Sequence, residues 1–125
     1  MFKTAFNGFS VNNAAEARKF YSEILGFKVT AYGYGTDIEL PGGARLFFYP
    51  KGAGHKPAAY TMLNLVVDDI DKAVDELKAK GIKFEQYAHT DEKGIQRGLA
   101  SSKGPDQAWF KDPAGNIISV LVEAS

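Results

Sequence analysis

Apolar residues along this chain change their period twice, and in the same order each time. Phe9 and Val11 alternate with Gly8 and Ser10, the pattern of a half-buried strand. From Ala14 the spacing lengthens: Ala14, Ala17, Tyr21, Ile24 and Leu25 fall on one helical face, with Glu16, Arg18, Lys19 and Glu23 outside it. Asn13 followed by Glu16 reads as a capping box, and Gly26 as a left-handed stop, so a helix is predicted over 14–25. Further on, Leu63, Leu65 and Val67 alternate with Met62, Asn64 and Val66. Ile70, Ala73, Val74 and Leu77 then recur at helical spacing, starting near Asp69 and stopping at Gly81.

The two passages are copies of one plan. Val11 corresponds to Val67, Ala17 to Ala73, Gly26 to Gly81 and Lys28 to Lys83. After each helix come β-rich runs, at 27–32, 36–40 and 45–49 in the first copy and at 83–87, 107–111 and 116–122 in the second. Pro41-Gly42-Gly43 precedes the last run of the first copy as Pro113-Ala114-Gly115 precedes that of the second. The predicted fold is α+β, one domain of two tandem βαβββ modules (about 1–50 and 60–125) joined by a linker at 51–59. A βαβββ unit covers one sheet face with its helix and leaves the other needing a cover. Two such units are expected to curl into a cupped, mostly antiparallel sheet. On the helix-free face Phe6, Gly8, Ser10, Met62, Asn64 and Val66 mix apolar, small and polar types, as a ligand-lined concavity does. The same mixture suits hydrogen-bonded polar residues in a filled interior or a subunit interface.

Composition narrows the chemistry. At 125 residues the chain can bury roughly two-thirds of its unfolded surface. It has no cysteine, which excludes disulfides, thiolate metal sites and cysteine nucleophiles. Fifteen Lys and Arg balance fifteen Asp and Glu and are scattered, so neither nucleic acid nor an anionic membrane is the expected partner. Met1 to Asn7 lacks the apolar run of a signal peptide, and no stretch approaches the ~18 apolar residues of a membrane span; a cytoplasmic location is expected. The acidic pair Asp68-Asp69 opens a helix and favours its dipole. Gly33-Tyr34-Gly35 reads as a β-turn, because no helix pattern follows to make a phosphate loop. His55 and His89 read as solvated loop residues. The irregular stretch from Ala88 to Asp106 is either an ordinary loop or a lid from which Arg97 reaches an anionic ligand group. Trp109 either lines the concavity with Phe6, Phe47, Tyr49 and Met62 or packs the core.

Three segments carry a resemblance: Phe20-Tyr21-Ser22-Glu23-Ile24-Leu25-Gly26-Phe27, Val67-Asp68-Asp69-Ile70-Asp71-Lys72-Ala73 and Trp109-Phe110-Lys111-Asp112-Pro113-Ala114-Gly115-Asn116. The FY-x-x-x-LG-F and F-x-DP-x-GN patterns together resemble the vicinal oxygen chelate superfamily of glyoxalases, extradiol dioxygenases and bleomycin-resistance proteins. The resemblance covers nearly the whole chain and implies paired βαβββ modules. It also implies a divalent ion held by His and Glu on the cup-facing sides of the inner strands. Carried over position by position, those ligands fall on Phe6, Phe47, Met62 and Ser119. None of the four offers the imidazole nitrogen or carboxylate oxygen such an ion needs, so neither metal nor cofactor is expected.

The reading that follows is a metal-free protein that sequesters a small molecule, similar in plan to the bleomycin-resistance proteins. Its expected ligand-facing residues are Phe6, Phe47, Tyr49, Met62, Asn64, Arg97, Trp109 and Ser119. The drug-resistance proteins tend to be acidic and bind a cationic drug, whereas this chain is neutral, which leaves the ligand class open. The alternative is a metal-dependent lyase or dioxygenase with ligands at other positions. A metal-independent enzyme using Tyr49, His89 or Arg97 is a third reading. A homodimer is expected because open sheet edges invite pairing.

Overall fold

The computed structural model describes residues 1–124 and divides into two compact units, Met1–Pro57 and a second beginning at Ala58. The first contains β1 (Asn7–Val11), α1 (Ala14–Lys19), β2 (Lys28–Tyr32), β3 (Gly35–Glu39) and β4 (Arg45–Pro50). The second contains β5 (Thr61–Val66), α2 (Ile70–Ala79), β6 (Ile95–Arg97), β7 (Asp106–Lys111) and β8 (Ile117–Val122). Both are therefore βαβββ. Their sheets have the equivalent orders β1-β4-β3-β2 and β5-β8-β7-β6. In each, the first strand lies parallel to the last and the other neighbours are antiparallel.

Local chemistry sets these boundaries. Asn13 Oδ1 accepts from the Glu16 N–H and Asp69 Oδ1 from the Lys72 N–H, both at 3.0 Å, so equivalent positions cap the two helices. Both modules leave their helices through a glycine of positive φ, 75° at Gly26 and 95° at Gly81, a region other residues enter only with strain. The period-two residues Phe9 and Val11 are buried with Ala17 and Tyr21 of the helical segment and Ile38, Leu46 and Phe48 of the sheet. Tyr21 lies 5.7 Å from Phe9 and 6.0 Å from Phe48, centroid to centroid. The second core gathers Leu63, Val74, Phe84, Ile95, Phe110 and Ile118.

Two expectations need correction. The helix predicted over 14–25 is α-helical only to Lys19 and continues as a π-helical turn, Phe20–Ile24. The Leu25 N–H donates to the Phe20 carbonyl at 3.1 Å, and the Ser22 hydroxyl takes the Arg18 carbonyl at 2.7 Å. A π turn widens the helix locally and releases carbonyls, which a serine hydroxyl can satisfy. Tyr21 is thereby fully buried, while Ala14, Ile24 and Leu25 are only half-buried. In the second module the run 83–87 is not a strand. Ile82 and Phe84 are buried with the alternation of one, yet Glu85 makes a single bond to the β7 backbone, its N–H to the Trp109 carbonyl at 2.8 Å. The outer place in the sheet belongs to β6, where Ile95 pairs with Ala108. Asp91 builds that turn: its carboxylate accepts from the Lys93 and Ile95 N–H groups at 2.9 Å each.

Among the described residues one buried side-chain group lacks a partner. Thr36 is paired with Phe48 in the β3–β4 register, fully buried, and its hydroxyl meets no hydrogen-bonding group. Burying a hydroxyl without a bond is costly, so Thr36→Val, which keeps the shape, is expected to stabilise the protein by about 1 kcal/mol. Urea unfolding of the variant measures this directly; no gain would mean that a bound water already satisfies the hydroxyl.

Candidate functional site

The strand pairings define which side chains share the helix-free face of each sheet. In the first module Gly8 pairs with Phe47, Ser10 with Tyr49, and Asp37 with Phe47. Phe6 precedes β1, is half exposed, and meets Phe47 edge-on at 6.1 Å. Phe47 also contacts Tyr34 at 5.9 Å, and Tyr34 stacks on Tyr32 at 5.8 Å with 15° between the rings. The Arg45 guanidinium lies 4.2 Å above the Phe6 ring, and its Nη1 donates to Asp37 Oδ1 at 3.1 Å and Oδ2 at 3.3 Å. Phe6, Tyr32, Tyr34, Asp37, Arg45 and Phe47 together line an open cavity of about 450 Å³. Gly35 makes room for this arrangement: a Cβ there would overlap the Phe47 ring and come within 2.7 Å of the Phe48 carbonyl oxygen. At the other end of the strand, Ser10 Oγ and His55 Nδ1 lie 2.7 Å apart, so His55 is held against β1 rather than left in solvent as expected.

In the second module the same face is occupied by polar side chains that satisfy one another. Ser119, fully buried, donates to Asn64 Oδ1. Gln107 Nε2 donates to Ser119 Oγ at 3.0 Å and to Asn64 Oδ1 at 3.3 Å. Trp109 is half-buried, meets Tyr87 edge-on at 5.6 Å, and donates from Nε1 to Thr61 Oγ1 at 3.1 Å. A bulge interrupts β5: Thr61 pairs with Ile117 and Leu63 with Ile118, leaving Met62 as the extra residue. Counting by twos back from Val66 through Asn64 therefore reaches Met62, whereas Thr61 is the residue in register and in contact with Trp109.

Arg97 is not offered to a ligand in this structure. Its Nη1 and Nη2 donate to the two Asp71 oxygens at 2.8 Å each, and Nε donates to Asp91 at 3.2 Å. Lys93 joins the cluster, 2.9 Å from Asp71 and 3.0 Å from Asp75. These pairs tie the segment carrying β6 to α2. Hydrogen bonds from Arg97 and then Lys93 hold the Asp71 carboxyl well below the usual carboxylate range, and Asp71 and then Asp91 raise Arg97. Because Asp71 is depressed in the folded state, its contribution is complete above its ordinary value of 3.8 and is lost as pH falls below it. The amides of residues 93–97 are therefore expected to keep their hydrogen-exchange protection from pH 8 to 5 and to lose it below about pH 4, earlier in high salt. Unchanged protection at pH 3 would show that backbone bonds alone hold the segment.

Of the eight residues expected to face a ligand, Phe6 and Phe47 come together on one cavity wall, and Asn64 and Ser119 share one hydrogen-bond cluster. Tyr49 lies across from Ser10, 40 % exposed. The side chains that sequence reasoning passed over are Asp37, Arg45, Tyr32 and Tyr34 in the first module and Thr61, Tyr87 and Gln107 in the second. Extending the alternation through 36–40 and 45–49 places Asp37, Arg45 and Phe47 on one face, which was the available signal. Phe6, Phe47, Met62 and Ser119, the positions to which the resemblance carries metal ligands, offer neither imidazole nor carboxylate, and among the described residues no three His, Cys, Asp or Glu side chains gather where they could hold a metal. These residues do not fit a divalent ion.

The sequence model described as the Glyoxalase/Bleomycin resistance protein/Dioxygenase superfamily matches residues 5–120. No curated protein matches the chain. Among solved structures, the fold is similar to that of TnmS3, an antibiotic binding protein from Streptomyces sp. CB03234, at 22% identity and a TM-score of 0.68, with 99% of each chain covered. An integron cassette protein from the mobile metagenome of the Halifax Harbour sewage outfall aligns at 17% identity and a TM-score of 0.68, covering 97% of this chain and 99% of that one. A glyoxalase/bleomycin resistance protein from Streptomyces sp. CB03234 aligns at 22% identity and 0.60, covering 94% and 99%.

Proposed function

This chain belongs to the Glyoxalase/Bleomycin resistance protein/Dioxygenase superfamily, and we propose that it is one of the members that bind a small molecule without a metal and without transforming it. The observation that carries this reading is the content of the helix-free faces. At the positions to which the resemblance carries nitrogen and oxygen ligands, the chain has phenylalanines, a methionine and a hydrogen-bonded serine. In the first module the helix-free face also holds an aromatic-walled cavity of about 450 Å³, within the size range of small-molecule pockets. Phe6, Phe47, Tyr32 and Tyr34 supply apolar contact there; in the second module Trp109 offers a ring and the Asn64–Ser119–Gln107 cluster offers polar anchors. Antibiotic binding by a protein of the same fold, TnmS3, supports the class of function. No described helix is long and apolar enough to cross a membrane; a cytoplasmic homodimer is part of the proposal, checked by sedimentation at twice the mass of one chain.

Two measurements on the intact protein test the reading. Protein purified without chelator from metal-supplemented cells is expected to carry less than about a tenth of an equivalent of Zn, Ni, Mn or Fe. A panel of small aromatic and polycyclic compounds is expected to contain ligands that raise the unfolding temperature and are recovered unchanged, since a ligand at ~100 times its Kd adds about 2.7 kcal/mol. One equivalent of metal, lost to chelator and restored on addition, would overturn the proposal in favour of a metal-dependent lyase or dioxygenase.

A further inference from the structure

We propose that the cavity of the first module selects a planar aromatic carboxylate, its ring on the Phe6–Phe47–Tyr34 wall and its carboxylate on the unused edge of Arg45. The inference deepens the ligand-binding reading and rests on it. Three features of the module converge. The first is a run of rings in mutual contact, Phe6 to Phe47 to Tyr34 to Tyr32, at centroid separations of 5.8 to 6.1 Å. The run is open on its outer side, where Tyr34 is 74% exposed, and an added ring extends it at little ordering cost.

The second feature is the state of Arg45. Only its Nη1 meets Asp37, while Nε and Nη2 find no acceptor among the described residues. Guanidinium nitrogens sharing one edge match the two oxygens of a carboxylate. Asp37 on one side and the Phe6 ring 4.2 Å away on another fix the guanidinium plane before any ligand arrives.

The third feature decides the sign of the ligand charge. A ring of aromatic side chains beside a carboxylate would ordinarily recommend a cationic ligand. Here that place is taken, because Arg45 itself lies over Phe6 and neutralises Asp37. A cationic ligand must first displace Arg45 from both contacts. An anionic one needs no displacement and satisfies donors that have no acceptor among the described residues.

The test is calorimetric titration of the full chain with 2-naphthoate, 2-naphthamide and 2-naphthylmethylammonium, three probes of one shape and different charge. Naphthoate is expected to bind at least about tenfold more tightly than the amide, and the ammonium most weakly. Arg45→Met is expected to abolish the advantage of naphthoate over the amide while leaving amide binding within about twofold. The double variant Asp37→Asn with Arg45→Met gives the same readout without leaving a carboxylate unpaired, and Tyr34→Ala is expected to weaken all three probes alike. Tightest binding by the ammonium, or naphthoate binding untouched in both Arg45 variants, overturns the inference. So does burial of Tyr34 in a self-association interface that excludes all three probes. If none of the three binds while another compound of the panel does, the carboxylate inference fails and the ligand-binding reading stands; if nothing binds, both fail.

Discussion

Asp112→Ala is expected to cost about 3 kcal/mol of stability, more than any other single polar substitution in the chain. Asp112 is buried at the turn between β7 and β8, where its Oδ1 accepts from the Ala114 and Asn116 N–H groups at 2.9 Å each and its Oδ2 from Asn116 Nδ2 at 3.0 Å. The Asp112 N–H closes the turn on the Asn116 carbonyl at 2.9 Å. Alanine would strand the buried Asn116 donors, and each stranded group costs about 1–3 kcal/mol. Asp112→Asn keeps one acceptor oxygen for the two backbone donors but sets an amide against the Asn116 amide, so about half the loss is expected. Urea unfolding of both variants checks the order and size. Losses below about 0.5 kcal/mol in both would mean that water replaces the carboxylate freely. The result bears on function as well: the DP-x-GN turn is a construction element here, so binding per folded molecule is expected to survive its loss.

The second large effect is Phe48→Ala, expected to cost about 4 kcal/mol. Phe48 is fully buried on the helix side of β4, with ring centroids 5.6 Å from Phe9 and 6.0 Å from Tyr21. It joins β1, the π-helical turn and the sheet in one cluster, and its removal leaves a cavity the surrounding rings cannot fill by small movements. Its neighbour Phe47 points to the opposite face, where it borders the cavity. Phe47→Ala is therefore the control, altering ligand contact at a much smaller cost in stability. A Phe48→Ala variant as stable as the parent would mean that the first module repacks around the gap.

The module plan was legible because it rests on local rules. Alternation in β1 and β5, the caps at Asn13 and Asp69, and the stops at Gly26 and Gly81 all act within a few residues. The repetition of these signals doubled their weight, and the helix-facing residues Phe9, Val11 and Leu63 are buried as the alternation requires. Where the sequence misled, two segments competed for one place. Residues 83–87 have the burial of a strand, but the edge of β7 is occupied by β6, a choice made by the Asp91 turn and the Asp71–Arg97 pairs. Nothing in a local window ranks those alternatives.

The candidate site divides along the same line. Phe6 and Phe47 could be placed on one face because side chains in a strand alternate strictly, and that rule needs no partner strand. The bulge that carries Thr61 rather than Met62 into register with Ile117 exists only in the pairing with β8. The role of Arg97 likewise depends on a helix more than twenty residues away in sequence, and that of Arg45 on which ring and which carboxylate lie beside it. The sequence by itself determined the modules and their cores, since these follow from residue type and period. Only the tertiary structure decided which charged and polar groups are already satisfied by neighbours and which nitrogen of Arg45 meets Asp37, because hydrogen-bond partners come from register and packing.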